Sequence, residues 1–176
     1  MTTQMMRITR CRAVWTAIVA ATLLLSVSQA ILLAITTTVP SIELRAPKGT
    51  PVRLTDFRGK VMIVKFWASW CPQCAETFAA LDAIDRDYRP KGVEVLAINV
   101  DEHRKNADAF LKGRVFQVRV LFDARARVFG AFGAEGVPAT YLIDRRGRIR
   151  HVHDEGDDSD ALYRAELEAL LAEGVR

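Results

Sequence analysis

The chain has 176 residues, half of them hydrophobic, and carries 25 Lys and Arg against 21 Asp and Glu. This length accommodates one domain of ordinary size and one additional segment. Arg7, Arg10 and Arg12 precede every acidic residue, and the remainder of the chain is close to neutral. The basic balance is therefore a topology signal, and it predicts no nucleic-acid partner.

An uncharged, apolar run follows the basic residues at the N-terminus. No charged side chain occurs from Ala13 to Ile42. A helix over residues 13–35 would be about 35 Å long, enough to cross the ~30 Å hydrocarbon core of a bilayer. We therefore predict a cytoplasmic basic segment at residues 1–12, a transmembrane anchor at residues 13–35, and export of the domain at residues 41–176.

The alternative interpretation of this run is a cleavable signal peptide. Ser28-Gln29-Ala30 offers small residues at suitable positions. Cleavage there would leave the apolar residues 31–35 as a new N-terminus, and the run is longer than the ~7–15 residues of a signal h-region, which favours the anchor. In both interpretations Cys71 and Cys74 are the exported cysteines. One close pair indicates a redox pair rather than a disulfide-stapled scaffold.

The rest of the chain alternates between strand and helix patterns. Strands are predicted at Val61–Phe66, Val93–Val100, Val118–Phe122, Ala139–Asp144 and Ile149–Val152, and helices at Ala75–Tyr88, Glu102–Lys112, Ala124–Phe132 and Ala161–Glu173. Residues 41–55 are irregular, with a short hairpin expected there. This order, ending in a hairpin and a helix, predicts an α/β sandwich.

The most informative motif is a pair of cysteines at a predicted strand-to-helix junction. Cys71 lies at the start of the helix, where backbone N–H groups and the helix dipole stabilise a thiolate. Cys74 follows one turn later, close enough to form a disulfide. One thiol that attacks and a second that resolves are the minimum requirement for thiol–disulfide exchange.

Three motifs in this order resemble the thioredoxin fold and, more narrowly, the membrane-anchored, exported TlpA/ResA/CcmG (DsbE) group of thiol-disulfide oxidoreductases. They are Leu54–Lys60, Phe66–Cys71 with the following Cys74, and Gly136–Asp144. The resemblance implies a central mixed β-sheet flanked by helices. It also implies a bacterial inner-membrane protein whose thioredoxin-like domain is periplasmic.

The resemblance assigns roles to the matching positions. Cys71 would be the attacking thiolate and Cys74 the resolving thiol. Pro138 would be a cis-proline packed against the disulfide, and Val137 would offer its backbone to a substrate strand. Trp70 and Pro72 beside Cys71 are further candidates for substrate contact, whereas Trp67 is expected in the core.

The resemblance also implies the partners. No cofactor is expected, because the Cys71–Cys74 pair is itself the redox centre. Substrates would be disulfide-bearing exported proteins, with apocytochrome c as a plausible case, and the protein is expected to be a monomer. A membrane thiol-electron carrier of the DsbD/CcdA kind would supply electrons. A disulfide-forming oxidant remains an alternative.

Two positions depart from the related families. Thioredoxins have a buried Asp six residues before the first cysteine, where this chain has Lys65. ResA-like proteins have a Glu three residues after the second cysteine, where this chain has Thr77, with Glu76 adjacent. A charge at Lys65 near the thiols would favour the thiolate. The alternative is that Lys65 extends past the strand end into solvent without a chemical role. The sequence therefore does not identify the group that accepts the proton of the resolving thiol.

Metal transfer is the competing function. His103, His151 and His153 are the histidines of the chain, and with two thiolates they could bind copper or zinc. No ligand spacing supports this, and no metal site is predicted. The acidic segment at residues 154–160 is expected to be a solvated loop, with Ser159 or Asp160 capping the last helix.

Overall fold

The computed structural model describes residues 38–154 and 159–173. The predicted basic segment and anchor, residues 1–12 and 13–35, lie outside these ranges. No helix within the described ranges has both the length and the apolar character needed to cross a membrane. The ranges cover most of the predicted α/β domain.

In the described part of the chain, seven strands form one mixed sheet. They are β1 (Glu43–Arg45), β2 (Pro51–Arg53), β3 (Val61–Trp67), β4 (Val93–Asn99), β5 (Arg119–Phe122), β6 (Ala139–Ile143) and β7 (Ile149–His153). Their order across the sheet is β2-β1-β5-β4-β3-β6-β7. Strands β3, β4 and β5 are parallel, and β6 is antiparallel to β3. The central mixed sheet and the hairpin expected within residues 41–55 are both present.

Four α-helices accompany the sheet in the described ranges: α1 (Pro72–Tyr88), α2 (Arg104–Leu111), α3 (Arg127–Ala131) and α4 (Asp160–Ala172). Short 3-10 turns occur at Leu54–Phe57 and Arg89–Lys91. Helix α4 begins after Ser159, whose hydroxyl accepts a hydrogen bond from the Leu162 N–H. The prediction of a capped last helix is confirmed.

The core lies on both faces of the central strand β3, in which every residue is buried. On one face, the Trp67 ring packs edge-on against Phe78 of α1 with ring centroids 5.0 Å apart, and it also contacts Phe110 of α2. On the other face, Phe66 packs edge-on against Phe129 of α3. The strand that leads to the cysteines is therefore fixed from both sides.

The predicted helix at residues 124–132 is shorter in the structure. The chain first makes a turn in which the Ala126 N–H donates to the Asp123 carbonyl at 2.8 Å, and Ala126 adopts a left-handed conformation. Helix α3 then begins at Arg127, because the Asp123 carboxylate accepts hydrogen bonds from the N–H groups of residues 127–129. These are amides that a helix cannot satisfy internally.

Candidate active site

The two cysteines meet where β3 ends and α1 begins. Cys71 and Cys74 form a disulfide with an S–S distance of 2.08 Å and a Cα–Cα distance of 5.3 Å. Cys74 is completely buried, whereas Cys71 retains 4% of its surface. Of the two residues, therefore, only Cys71 reaches the surface.

Cys71 is the N-cap residue of α1. Its backbone is extended, and Pro72 occupies the first helical position, where the missing N–H costs no intrahelical hydrogen bond. The Cys74 N–H points back at the Cys71 Sγ at 3.1 Å. This N–H and the helix dipole both favour negative charge on that sulfur, so the fold provides the thiolate-stabilising position that the sequence predicts.

Two buried polar side chains hold the loop between β3 and Cys71. The Asp101 carboxylate accepts hydrogen bonds from the Ser69 N–H at 3.1 and 3.2 Å and from the Ser69 hydroxyl at 3.1 Å. The Asn99 side-chain amide donates to Asp101 at 2.8 Å and also contacts the Trp67 carbonyl at 3.5 Å. The loop that precedes Cys71 is thus fixed to the end of β4.

Asn99 and Asp101 were not among the site residues predicted from the sequence. The sequence signal that could have identified them is the presence of two polar residues at the end of a strongly apolar strand. Strands β3 and β4 are parallel, with Trp67 opposite Asn99. The ends of parallel neighbours meet at one edge of the sheet, so polar residues there can reach the loop that follows the adjacent strand.

The loop before β6 lies on the other side of β3. The Val137–Pro138 peptide bond is cis, as the resemblance implies. Both residues are buried, and Val137 keeps 8% of its surface. Because β6 starts at residue 139 and pairs with β3, this loop lies at the same end of the sheet as Cys71.

A shallow groove of about 360 Å³ passes over the disulfide. It is lined by Trp70, Cys71, Pro72, Gln73 and Val137. The structure therefore brings together Trp70, Pro72 and Val137 of the residues predicted to contact substrate, and Pro138 follows Val137 through the cis peptide bond. Trp70 is 68% exposed, so it is the surface tryptophan of the site, whereas Trp67 is buried in the core as expected.

A second groove of about 650 Å³ is lined by Pro138, the residue after Val137, and it was not predicted from the sequence. Its lining includes Tyr141 together with the carboxylates of Glu135 and Asp154. Burial raises the pKa of Tyr141, and the charge of Asp154 raises it further. The Tyr141 hydroxyl therefore stays neutral, so the groove combines an aromatic wall with negative charge.

The expectation that Lys65 extends into solvent is wrong. Lys65 is 1% exposed, and its ammonium donates to the Thr140 Oγ1 at 3.3 Å. Strands β4 and β6 pair with β3 on both sides of this residue, so Lys65 lies in the interior of the sheet and not at a strand end. Side chains alternate along a strand, so Lys65 shares with Trp67 the sheet face on which α1 packs. The buried Lys65 amine therefore lies on the face covered by the helix that begins at Cys71.

Glu76 and Thr77 occupy the first turns of α1. Glu76 is exposed, and Thr77 is half-buried. The Thr77 hydroxyl donates to the Cys74 carbonyl at 3.1 Å. Thr77 thus binds the helix backbone, and Glu76 is the nearest carboxylate in sequence to the cysteine pair.

The three histidines fall into two groups. His103 is exposed at the N-cap of α2. His151 and His153, on β7, both contact the carboxylate of Glu166 on α4, at 3.1 and 2.7 Å. Their observed contacts fasten the edge strand to the last helix. Within residues 38–154 and 159–173, no group of three or more His, Cys, Asp or Glu side chains could hold a metal ion.

Comparison with protein families gives one match over most of the chain. The model of the AhpC/TSA family matches residues 35–152. Among curated proteins, the thiol-disulfide oxidoreductase ResA of Geobacillus thermodenitrificans is 32% identical over 119 residues, which is 68% of each chain. The ResA of Bacillus subtilis is 28% identical over 110 residues, or 62% of each chain.

The chain is also similar to solved structures of thiol-disulfide exchange proteins. A Chlorobium tepidum protein assigned as the thiol:disulfide interchange protein DsbE superposes with a TM-score of 0.70 at 32% identity, covering 76% of this chain and 96% of that one. The exposed lipoprotein thioredoxin of Streptococcus pneumoniae superposes with a TM-score of 0.67 at 26% identity, covering 74% of this chain and all of that one.

Proposed function

Since the chain belongs to the AhpC/TSA family and is a thiol-disulfide oxidoreductase of the ResA and DsbE type, we propose that it reduces disulfides of specific exported proteins through Cys71 and Cys74. The observation that carries the proposal is the unequal burial of the two cysteines. Cys71 opens into a groove at a helix N-terminus, and Cys74 is accessible to Cys71 alone.

The proposed reaction has two exchanges. The Cys71 thiolate attacks one sulfur of the substrate disulfide, and the other substrate sulfur leaves as a thiolate and takes up a proton. The Cys74 thiolate then attacks the Cys71 Sγ, breaks the mixed disulfide and releases the second substrate thiol. Two electrons and two protons pass to the substrate, and the protein is left with the Cys71–Cys74 disulfide.

The roles of the two cysteines are tested by separate substitutions in the full chain. Cys71→Ser should abolish the reduction of insulin. Cys74→Ser should retain the attack and accumulate a mixed disulfide, visible on a non-reducing gel. Cys11→Ser is the matched control, because it removes a thiol outside the pair and should retain full activity. Insulin reduction by the Cys71→Ser protein would show that another group is the nucleophile.

The direction of exchange depends on the reduction potential of the pair. Dithiol proteins with this cysteine spacing range from about −270 mV to about −120 mV. We expect a value towards the reducing end, measured by equilibration with glutathione. A value near −120 mV would instead support the disulfide-forming oxidant.

The groove suggests how a substrate is held. Trp70 and Pro72 provide an apolar surface on one side of Cys71, and the backbone of Val137, positioned by Pro138, faces it from the other side. We propose that an extended segment of the substrate crosses between them. Gln73 is uncharged and is expected to change the potential of the pair only slightly.

Lys65 and Glu76 are proposed to tune the thiolate. The buried ammonium of Lys65 favours the anionic form of the reduced cysteines, whereas the carboxylate of Glu76 opposes it weakly across solvent. Lys65→Met should shift the midpoint of the pH profile for alkylation of Cys71 by iodoacetamide upwards, and Glu76→Gln should shift it slightly downwards. Equal midpoints in Lys65→Met and the parent protein would mean that Lys65 has no chemical role.

The N-terminal sequence supports a proposal for the cellular setting. We propose that residues 13–35 anchor the protein in the bacterial inner membrane with the domain in the periplasm, that a DsbD/CcdA-like carrier re-reduces the pair, and that apocytochrome c is a candidate substrate. Alkaline carbonate extraction of membranes tests the anchor, because an anchored chain stays in the pellet. Release into the supernatant would favour cleavage of a signal peptide.

A further inference from the structure

The second groove, which we call the Tyr141 groove, has apolar walls and an acidic lining. The side chains of Phe132, Tyr141 and Val152 supply apolar surface, and Val152 leaves 51% of its surface exposed there. Glu135 and Asp154 are the charged residues that line the groove. Its volume of about 650 Å³ lies within the range of sites that bind small molecules or single side chains.

The two carboxylates of the Tyr141 groove are not neutralised by the protein. Within residues 38–154 and 159–173, the side chains of Glu135 and Asp154 form no ion pair and no hydrogen bond. The carboxylate of Asp144, by contrast, pairs with both Arg148 and Arg150. No basic residue of the described chain lines the groove, so its uncompensated negative charge favours a cationic occupant.

The Tyr141 hydroxyl is a third polar group of this groove. Tyr141 is only 3% exposed, and its ring packs against Phe66 and Phe132 with centroids 5.8 and 4.8 Å away. A buried tyrosine usually places its hydroxyl on a hydrogen-bond partner, but this hydroxyl has none in the part of the chain that the structure describes. Because the charge of Asp154 raises the pKa of Tyr141, the hydroxyl lies on the side of Asp154, in the groove. An occupant of the groove would supply the missing partner.

The position of the Tyr141 groove relative to Cys71 fits a substrate that spans both grooves. Val137 lines the groove over the disulfide together with Cys71, and the next residue, Pro138, lines the Tyr141 groove. The four residues from Val137 to Tyr141 span at most about 14 Å. An extended substrate segment covers this distance in about four residues. A substrate cysteine at Cys71 can therefore have a neighbour, up to about four positions away, in the Tyr141 groove.

We propose that the Tyr141 groove is a specificity subsite that receives a lysine or arginine side chain of the substrate, within about four residues of the cysteine that Cys71 attacks. The apolar walls accommodate the methylene stem of such a side chain. Its charged head donates a hydrogen bond to the Tyr141 hydroxyl and faces the carboxylates of Glu135 and Asp154. The inference rests on the proposed disulfide reduction, because the subsite selects among disulfide-bearing substrates.

The test uses peptide disulfides that differ in a single side chain. Each peptide carries one cysteine in a glycine-serine background, with lysine placed one to four positions to either side of it. The matched peptide has methionine at the same position, because methionine has a long, unbranched and uncharged side chain. Symmetric disulfide dimers of each peptide are mixed with the reduced full chain in mild detergent, and the release of peptide thiol is followed by chromatography.

The expected result is a preference for lysine at one position of the peptide. Charge pairs that are open to solvent contribute modestly, so we expect the lysine peptide to be reduced about fivefold faster than the methionine peptide at the best position. The ratio of the two rates should fall towards one at about 0.5 M NaCl, because salt screens the attraction. Tyr141→Phe keeps the ring but removes the hydroxyl, and it should lower the ratio about twofold.

Charge variants identify the groove as the source of the preference. Glu135→Gln/Asp154→Asn should bring the ratio to about one, and Glu135→Lys/Asp154→Lys should instead prefer a peptide with glutamate at that position. The matched control Glu102→Gln/Asp108→Asn removes two exposed carboxylates outside the groove and should keep the lysine preference.

The outcomes separate the subsite from the reaction. Equal rates for the lysine and methionine peptides at every position, a lysine preference that survives in Glu135→Gln/Asp154→Asn, or its loss in the control variant would each overturn the subsite and leave the proposed reduction intact. No reduction of any peptide or of insulin would overturn the proposed function and the subsite together.

Discussion

The carboxylate of Asp101 offers the sharpest test of how the site is held. Asp101→Ala leaves the cysteines and the groove in place but removes the acceptor that fixes Ser69, two residues before Cys71. We expect this substitution to lower both the stability of the domain and the rate at which it reduces protein disulfides.

The size of the effect follows from the donors that lose their acceptor. Asn99 is 1% exposed, so leaving its amide with only the long 3.5 Å contact to the Trp67 carbonyl costs about 1–3 kcal/mol. Ser69 is half-buried, so water can replace part of what its N–H and hydroxyl lose, at about 0.5–1.5 kcal/mol each. Removing the Asp101 carboxylate also removes the free-energy cost of burying its charge, which offsets part of these losses. The free energy of unfolding should fall by about 3 kcal/mol, which lowers the Tm by about 10 °C for a domain of this size.

The measurement is urea unfolding of the full chain in mild detergent, followed by circular dichroism. Asp101→Asn should lose less than Asp101→Ala, because one oxygen remains, although its new NH2 group opposes the Asn99 amide. Asp108→Ala is the control, since Asp108 is an exposed partner of Arg104 and its loss should stay within about 0.5 kcal/mol. A loss at Asp101 as small as that at Asp108 would refute the assigned role.

Two further predictions concern the groove and the response to acid. Trp70→Ala should change stability by less than about 0.5 kcal/mol while raising the KM for insulin and leaving a small-molecule disulfide unaffected, whereas Trp67→Ala should cost about 3–5 kcal/mol. Burial would raise the pKa values of Asp144 and Glu94, but their hydrogen bonds to arginine, lysine and backbone donors outweigh burial and hold both pKa values below the ordinary 3.8 and 4.5. Since the pKa values of both groups are depressed in the folded state, the stability they contribute is complete above about pH 5 and is lost as the pH falls below 4. Glu94→Gln should therefore make the free energy of unfolding less dependent on pH in the acid range.

The sequence predicted those parts of the fold and site that depend on local pattern. The run from Val61 to Phe66 is apolar enough to identify a buried strand, and a cysteine followed by proline identifies a helix start. The exposure of Trp70 and the burial of Trp67 follow from their positions on either side of the strand end. Such features depend on neighbours within one or two turns of chain.

The sequence did not predict what depends on contacts between distant segments. Lys65 interrupts an apolar strand and was expected to reach solvent. Its burial becomes visible only once β4 and β6 are known to flank β3 and α1 is known to cover the face of β3 that carries Trp67. Asp101 lies 32 residues after Ser69, and no local pattern joins them. The prediction of a cis bond before Pro138 came from the family resemblance, because only about 5–6% of X–Pro bonds in folded proteins are cis.

The assignment of the two sulfurs rests on constraints from different parts of the chain. The helix start makes Cys71 the better anion, and the loop held by Asp101 positions it at the mouth of the groove. The packing of α1 on β3 buries Cys74 completely, so no protein disulfide can reach its sulfur. In the proposed reaction, a substrate therefore meets Cys71 first, and Cys74 acts only on a bond that Cys71 has already formed. Because the second exchange is intramolecular, its rate is independent of substrate concentration. A variant that releases the reduced substrate slowly would therefore have its defect at Cys74 or its surroundings rather than in the groove.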